Sequence, residues 1–197
     1  GQPIHLSEGG ILIVQANGDF TFDPDGDYEY LKNNPVTNVS STTTAAIDYT
    51  ISDGNGGTVT SRIFIDLTGE NDAAVVSGGI AGSVTEDDLD PVEGVVIAVG
   101  TPLVADPDTN ENSLTATEPG IPLAGTYGVI TMTASEWRYE LNNADPAIQA
   151  LGVGETLTDT VTATTADGTP FDITITINGT NDGPVAADDF LTVGEDD

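Results

Sequence analysis

Apolar residues in this chain recur at every second position in short runs, and no stretch keeps the period of an amphipathic helix. Phe171, Ile173, Ile175 and Ile177 alternate with Asp172, Thr174, Thr176 and Asn178, the pattern of a half-buried strand. Ile63, Ile65 and Leu67 alternate with Arg62, Phe64 and Asp66 in the same way. Trp137, Tyr139 and Leu141 share one face of a further strand, as do Phe20 and Phe22. Asn17-Gly18, Asp53 to Gly57 and Asp167-Gly168 supply turn residues that tolerate positive φ. Many short strands separated by Gly-rich turns predict an all-β chain of tandem Ig/cadherin-like antiparallel β-sandwich domains.

The chain also repeats itself. Residues 66–75, DLTGENDAAV, resemble residues 176–185, TINGTNDGPV, which places the pairs Asn71-Asp72 and Asn181-Asp182 110 residues apart. Each pair is followed by an echo, Val84-Thr85-Glu86-Asp87-Asp88 in one case and Val193-Gly194-Glu195-Asp196-Asp197 in the other. The repeat predicts a sandwich lacking its opening strand at 1–72 and a complete one at 73–182. Residues 183–197 are then the opening strand of a following or neighbouring domain. The expected partners are adjacent repeat domains of the same chain or neighbouring copies, the latter through strand donation from residues 183–197.

Charge narrows the possible functions. Thirty-three Asp or Glu stand against three Lys or Arg, a formal net charge of −30. Lys32, Arg62 and Arg138 cannot build a basic face against nucleic acid or an anionic membrane surface. No apolar run is long enough to insert in a bilayer as a helix. Cysteine is absent and His5 is the lone histidine, so thiolate and histidine-cluster metal sites are excluded, as is a Ser-His-Asp arrangement. Paired carboxylates can hydrolyse glycosides when one acid sits in an apolar cleft. Here they lie in polar, Gly-rich loops, so an enzyme is not expected. Such charge on a compact fold repels itself, and multivalent cations relieve that.

The closing hairpins DGNGGTVTSRIFIDLTGEND and DGTPFDITITINGTNDGPV resemble those of bacterial cadherin-like and VCBS-type repeats, which build RTX-type giant adhesins and related fibres. ANGDFTFDPDGDYEYL and SEWRYELNNADPAIQALGVGETLTDT strengthen the likeness. The resemblance implies Ca2+ at the domain junctions, type I export to the bacterial cell surface, and a spacer role in adhesion or biofilm. A terminal module binding sugar or protein, and a self-assembling filament subunit, are the alternatives.

Calcium takes six to eight oxygens at once, so a site needs carboxylates from several loops. In Asp106-Pro107-Asp108-Thr109-Asn110 the ligand-type residues alternate. By analogy with cadherin-like junctions, calcium is expected between Asp72, Glu86, Asp106 and Asp108, with Asn71, Asp87 and Asn110 beside them. The matching residues of the next junction are Asn181, Asp182, Glu195 and Asp196. Asp23, Asp25 and Asp27 resemble the opening of an EF-hand loop, but its twelfth position is Asn34 rather than Glu. Asp159 is expected to reach a junction from its strand.

Overall fold

The computed structural model describes residues 2–15 and 17–184, and every regular element among them is a strand. Glu195 and Asp196 lie outside the described residues. In the first unit, β1 (Pro3–His5), β2 (Ile11–Val14) and β3 (Phe20–Asp23) form an antiparallel meander. A short pair, β4 (Asn33–Asn34) and β5 (Val39–Ser40), follows. A long hairpin, β6 (Thr42–Ser52) and β7 (Thr58–Thr68), then runs in register from Thr42↔Thr68 to Ser52↔Thr58. Its turn is made by Asp53, whose Oδ1 accepts the amides of Asn55 (2.8 Å) and Gly57 (2.9 Å).

The second unit is an Ig-like sandwich of two main sheets. Its strands are β8 (Val75–Ser77), β9 (Ala81–Thr85), β10 (Ile97–Gly100), β11 (Leu103–Ala105), β12 (Leu123–Ala124), β13 (Gly128–Met132), β14 (Trp137–Leu141), β15 (Thr156–Thr164) and β16 (Pro170–Asn178). One sheet has the order β10-β14-β13-β12, the other β15-β16-β9, and β8 pairs with β11 beside them. All pairings are antiparallel except β9 with β16, which run parallel from Thr174↔Ala81 to Asn178↔Thr85.

The alternation read from the sequence is the alternation of burial. Ile173, Ile175 and Ile177 from one sheet meet Ile130, Trp137 and Tyr139 from the other, all fully buried. Each such side chain contributes roughly 1.5–3 kcal/mol through removal from water. Trp137 also donates its indole N–H to the Gly79 carbonyl (2.6 Å), so its one polar atom is satisfied. It packs flat on Gly100, where a Cβ would stand 2.4 Å from the ring.

The first unit follows the same plan with a thinner core. Ile63, Ile65 and Leu67 occupy the places of Ile173, Ile175 and Ile177 yet are only half-buried. Among the described residues β7 has no partner on its second edge, where β16 has β9. Phe64 is accordingly 67% exposed.

Asp159 does not reach a junction, contrary to the sequence expectation. It is buried on β15, where its carboxylate accepts the amides of Thr126 (2.8 Å) and Tyr127 (2.9 Å) and the Tyr139 hydroxyl (2.8 Å). Burial, then the bond to Asp159, raises the Tyr139 pKa. The register places Ala45 and Phe22 of the first unit where the second has Asp159 and Tyr139. The polar pair is therefore exchanged as a pair, since either partner alone would be buried without its bond. Asp159→Ala strands three donors and is expected to lower stability by about 3 kcal/mol. Urea unfolding followed by Trp137 fluorescence measures this, and the loss should be the same with calcium or chelator; a calcium-dependent loss would return Asp159 to a metal site.

Candidate metal centre

The linker between the units begins on a shared packing device. Gly69 donates its amide to the Ser41 carbonyl (3.0 Å) and sits where a Cβ would be 2.4 Å from the Leu31 carbonyl carbon. Gly179, its counterpart, donates to Glu155 (2.9 Å) and lies against Leu151 and Gly152. Only glycine lets the chain leave the closing strand this close to the previous loop.

Beyond Gly69 the linker runs into the acidic tip of the second unit. Asp72 donates its amide to Asp108 Oδ2 (2.9 Å), and Ala74 donates to Asp167 Oδ2 (3.2 Å). Asp108 in turn donates its amide to Asp106 Oδ1 (2.8 Å), and Asp106 donates to Asn112 Oδ1 (2.6 Å). The loop closes at Asn110, in the left-handed region at φ 66°. Asp108, Glu111 and Asp167 are buried.

These bonds use only part of the available oxygens. Asp106 Oδ2, Asp108 Oδ1 and both carboxylate oxygens of Glu111 are buried without a hydrogen-bond partner. Burial raises the pKa of Asp106, and the charges of Asp167, Asp108 and Glu111 push the same way against an amide bond that lowers it. Asp108 is raised by burial too, with Glu111 and Asp72 adding repulsion and Lys32 opposing it. Buried carboxylate oxygens without a hydrogen bond and under mutual repulsion are the kind of group a cation would compensate. The donor set, all hard oxygen, suits Ca2+. Among the described residues no three acidic side chains stand at metal-ligand spacing, so a cation would be held there only after they moved inward.

Glu86 is not part of this cluster. Because β9 runs parallel to β16, its end is delivered to the C-terminal end of β16, roughly 25 Å along that strand from the Asp167 turn. There Glu86 Oε1 accepts the Thr180 amide (2.6 Å) while Oε2 is buried and unpartnered. Asp87 adopts φ 62°, accepts from Asn143 (2.7 Å) and Gln149 (3.3 Å), and lies beside Asp182. The Asn143 bond, then the Gln149 bond, hold the Asp87 pKa down. Glu86 and Asp87 thus lie with Thr180 and Asp182 at the C-terminal end of the second unit, next to Asn181. Asn181 Nδ2 donates to the Asp182 carbonyl (3.3 Å) as Asn71 Nδ2 does to that of Asp72 (3.0 Å), so the two linkers turn alike.

Asp23, Asp25 and Asp27 are exposed and separately engaged. Asp23 Oδ1 accepts the Asp25 amide (3.0 Å), Asp25 is left-handed at φ 53°, and Asp27 Oδ2 accepts the Gly10 amide (2.7 Å). Each serves a turn, and they do not converge. Two acids of the buried cluster were missed. Glu111 stands three residues past Asp108, a signal the alternating spacing of that loop obscured. Asp167 carried only a turn signature.

The raised pKa values of Asp106 and Asp108 fix a sign. An acid whose folded pKa lies above its unfolded value binds protons more tightly when folded, so its burial costs stability at neutral pH and that cost fades as pH falls. In chelator at pH 7, Asp106→Asn and Asp108→Asn are expected to melt higher than the native protein, with the gap closing toward pH 4. Melting curves across that range measure this; variants that melt lower in chelator would show the carboxylates are not under strain.

Residues 2–66 match the model of a family described as a bacterial Ig domain. No curated protein matches the chain. Domains of this kind are typically non-enzymatic modules of extracellular or surface proteins. The fold and the match agree: the chain is built of Ig-like β-sandwich units, the first of them similar to bacterial Ig domains.

Proposed function

We propose that this chain is a calcium-stiffened extender segment of a bacterial extracellular adhesin or matrix fibre. One observation carries the reading: at the point where two units meet, buried carboxylate oxygens of Asp106, Asp108 and Glu111 have no hydrogen-bond partner, and only Glu111 has a cation beside it. Asp72, in the linker, is tied by its amide to the same cluster. A cation held by Asp72, Asp106, Asp108 and Glu111 would remove the repulsion and fix the linker to the tip of the second unit. Asp167 supports the site from behind, since its oxygens already accept from Ala74, Thr165 and Thr169. Glu86, Asp87 and Asp182 offer the corresponding acids to the next junction.

The required affinity is modest. Sites of order 10⁻⁴–10⁻³ M fill in extracellular fluid and stay largely empty inside a cell. A stiff spacer outside and a bendable chain before export follow from that difference. Support in adhesion or biofilm needs no catalysis, only length and rigidity.

Millimolar Ca2+ is expected to raise the melting temperature and narrow the distribution of end-to-end lengths seen by small-angle scattering. At tenfold excess over Kd the gain is about 1.4 kcal/mol per site. Asp108→Ala should abolish the response at the first junction and Glu86→Gln should reduce it at the second. Unchanged melting and length between chelator and calcium would refute the proposal.

A further inference from the structure

The chain has three cations, and the structure gives them different work. Arg62 pairs with Asp48 across the β6–β7 hairpin, exposed on both sides. Arg138 pairs with Glu93 and Glu140, all within the second unit. Lys32 alone crosses the junction. Its ammonium donates to the Thr109 carbonyl (3.0 Å) and stands 3.5 Å from Glu111 Oε1. Its backbone is fixed by the Ser41 hydroxyl, which accepts the Lys32 amide (2.7 Å), and by the close approach of Gly69. Lys32 therefore delivers one positive charge from the first unit into the buried acidic tip of the second.

We propose that Lys32 is a resident cation of the junction, a latch that holds the two units together without metal and competes with a divalent ion for Glu111. This rests on the calcium reading for its second half only. Glu111 is 1% exposed, neither of its oxygens has a hydrogen bond, and among the described residues the Lys32 ammonium is the one cation beside it. A divalent ion drawing Glu111 inward has to take it from Lys32, because two cations on one carboxylate repel each other. Ion binding then exchanges one cross-junction tie for another. The bonds from Thr109 Oγ1 to the Tyr30 carbonyl (3.0 Å) and from Asn34 Nδ2 to the Ala166 carbonyl (3.2 Å) keep the units adjacent while this happens.

The repeat supplies an independent argument. Leu31-Lys32 and Leu151-Gly152 occupy the same place, each against the glycine that opens a linker. The glycine contact is common to both units, and the lysine is not. The latch is thus an addition to the first junction, not part of the sandwich plan, and the second junction is expected to be looser without metal and to bind it without competition.

Lys32→Met keeps the aliphatic stem and removes the charge. For the whole 197-residue chain in chelator, scattering of this variant is expected to show a broader length distribution than the native protein, with Lys32→Arg close to native. Calorimetric titration with CaCl2 should show the first-junction affinity rising about tenfold or more in Lys32→Met. Native stiffness in chelator together with unchanged affinity would overturn the latch. If neither protein binds calcium, the metal reading fails, and the chelator measurement alone decides: loosening upholds the latch, and no loosening overturns it.

Discussion

The junctions depend on one kind of bond, a linker amide donated to a side-chain carboxylate of a sandwich tip. Asp72 to Asp108, Ala74 to Asp167 and Thr180 to Glu86 are three instances. Charge-assisted bonds of this type are among the stronger ones in proteins. Each takes one carboxylate oxygen. At Asp108 and Glu86 the second oxygen is left buried without a partner. The backbone thereby holds acids in positions their own repulsion would otherwise empty. The cost of those oxygens, with Asp106 Oδ2 and both oxygens of Glu111, is placed at the ends of the second unit, and among the described residues no other buried side-chain N or O atom lacks a hydrogen bond.

Strand direction then decides which acids can share an ion. The parallel pairing of β9 with β16 sends Glu86 to the end of the unit remote from Asp106, Asp108, Glu111 and Asp167. A unit therefore carries a receiving tip at its start and a giving tip at its end. At the junction described, the acids come from the linker (Asp72) and from the second unit (Asp106, Asp108 and Glu111), and the first unit adds Lys32. The exchange of Tyr139 and Asp159 for Phe22 and Ala45 shows the interior varying under a different rule, in which polar partners enter or leave together.

The sequence revealed what depends on short-range pattern. Alternation at Ile173 to Ile177 and at Trp137 to Leu141 located strands and their buried faces, since side-chain period in a strand is a local property. The Asn-Asp repeat marked two segments that make the same side-chain turn, for the same reason. Glu86 was misplaced because proximity in sequence to Asp72 is undone by a strand whose direction no local pattern specifies. Asp159 was misread because a carboxylate between two threonines looks alike whether it faces solvent or three buried donors. Glu111 and Asp167 were missed because burial, which gives them their chemistry, arises only when the linker packs across their loops.

The two linkers share the parts that set geometry and differ in the part that sets charge. Gly69 and Gly179 make the same close approach, and Asn71 and Asn181 make the same turn to the following carbonyl. Lys32 against Gly152 is the difference. Geometry has to be common to every joint if sandwiches are to stack at a repeatable angle. Electrostatics need not be, because under the proposed function each joint would fill its own acids from solution. If ions stiffen the joints as proposed, stiffness along such a chain would be graded joint by joint with single substitutions beside a fixed scaffold, since a lysine at this place would change the charge an ion must displace and leave the backbone that positions it untouched.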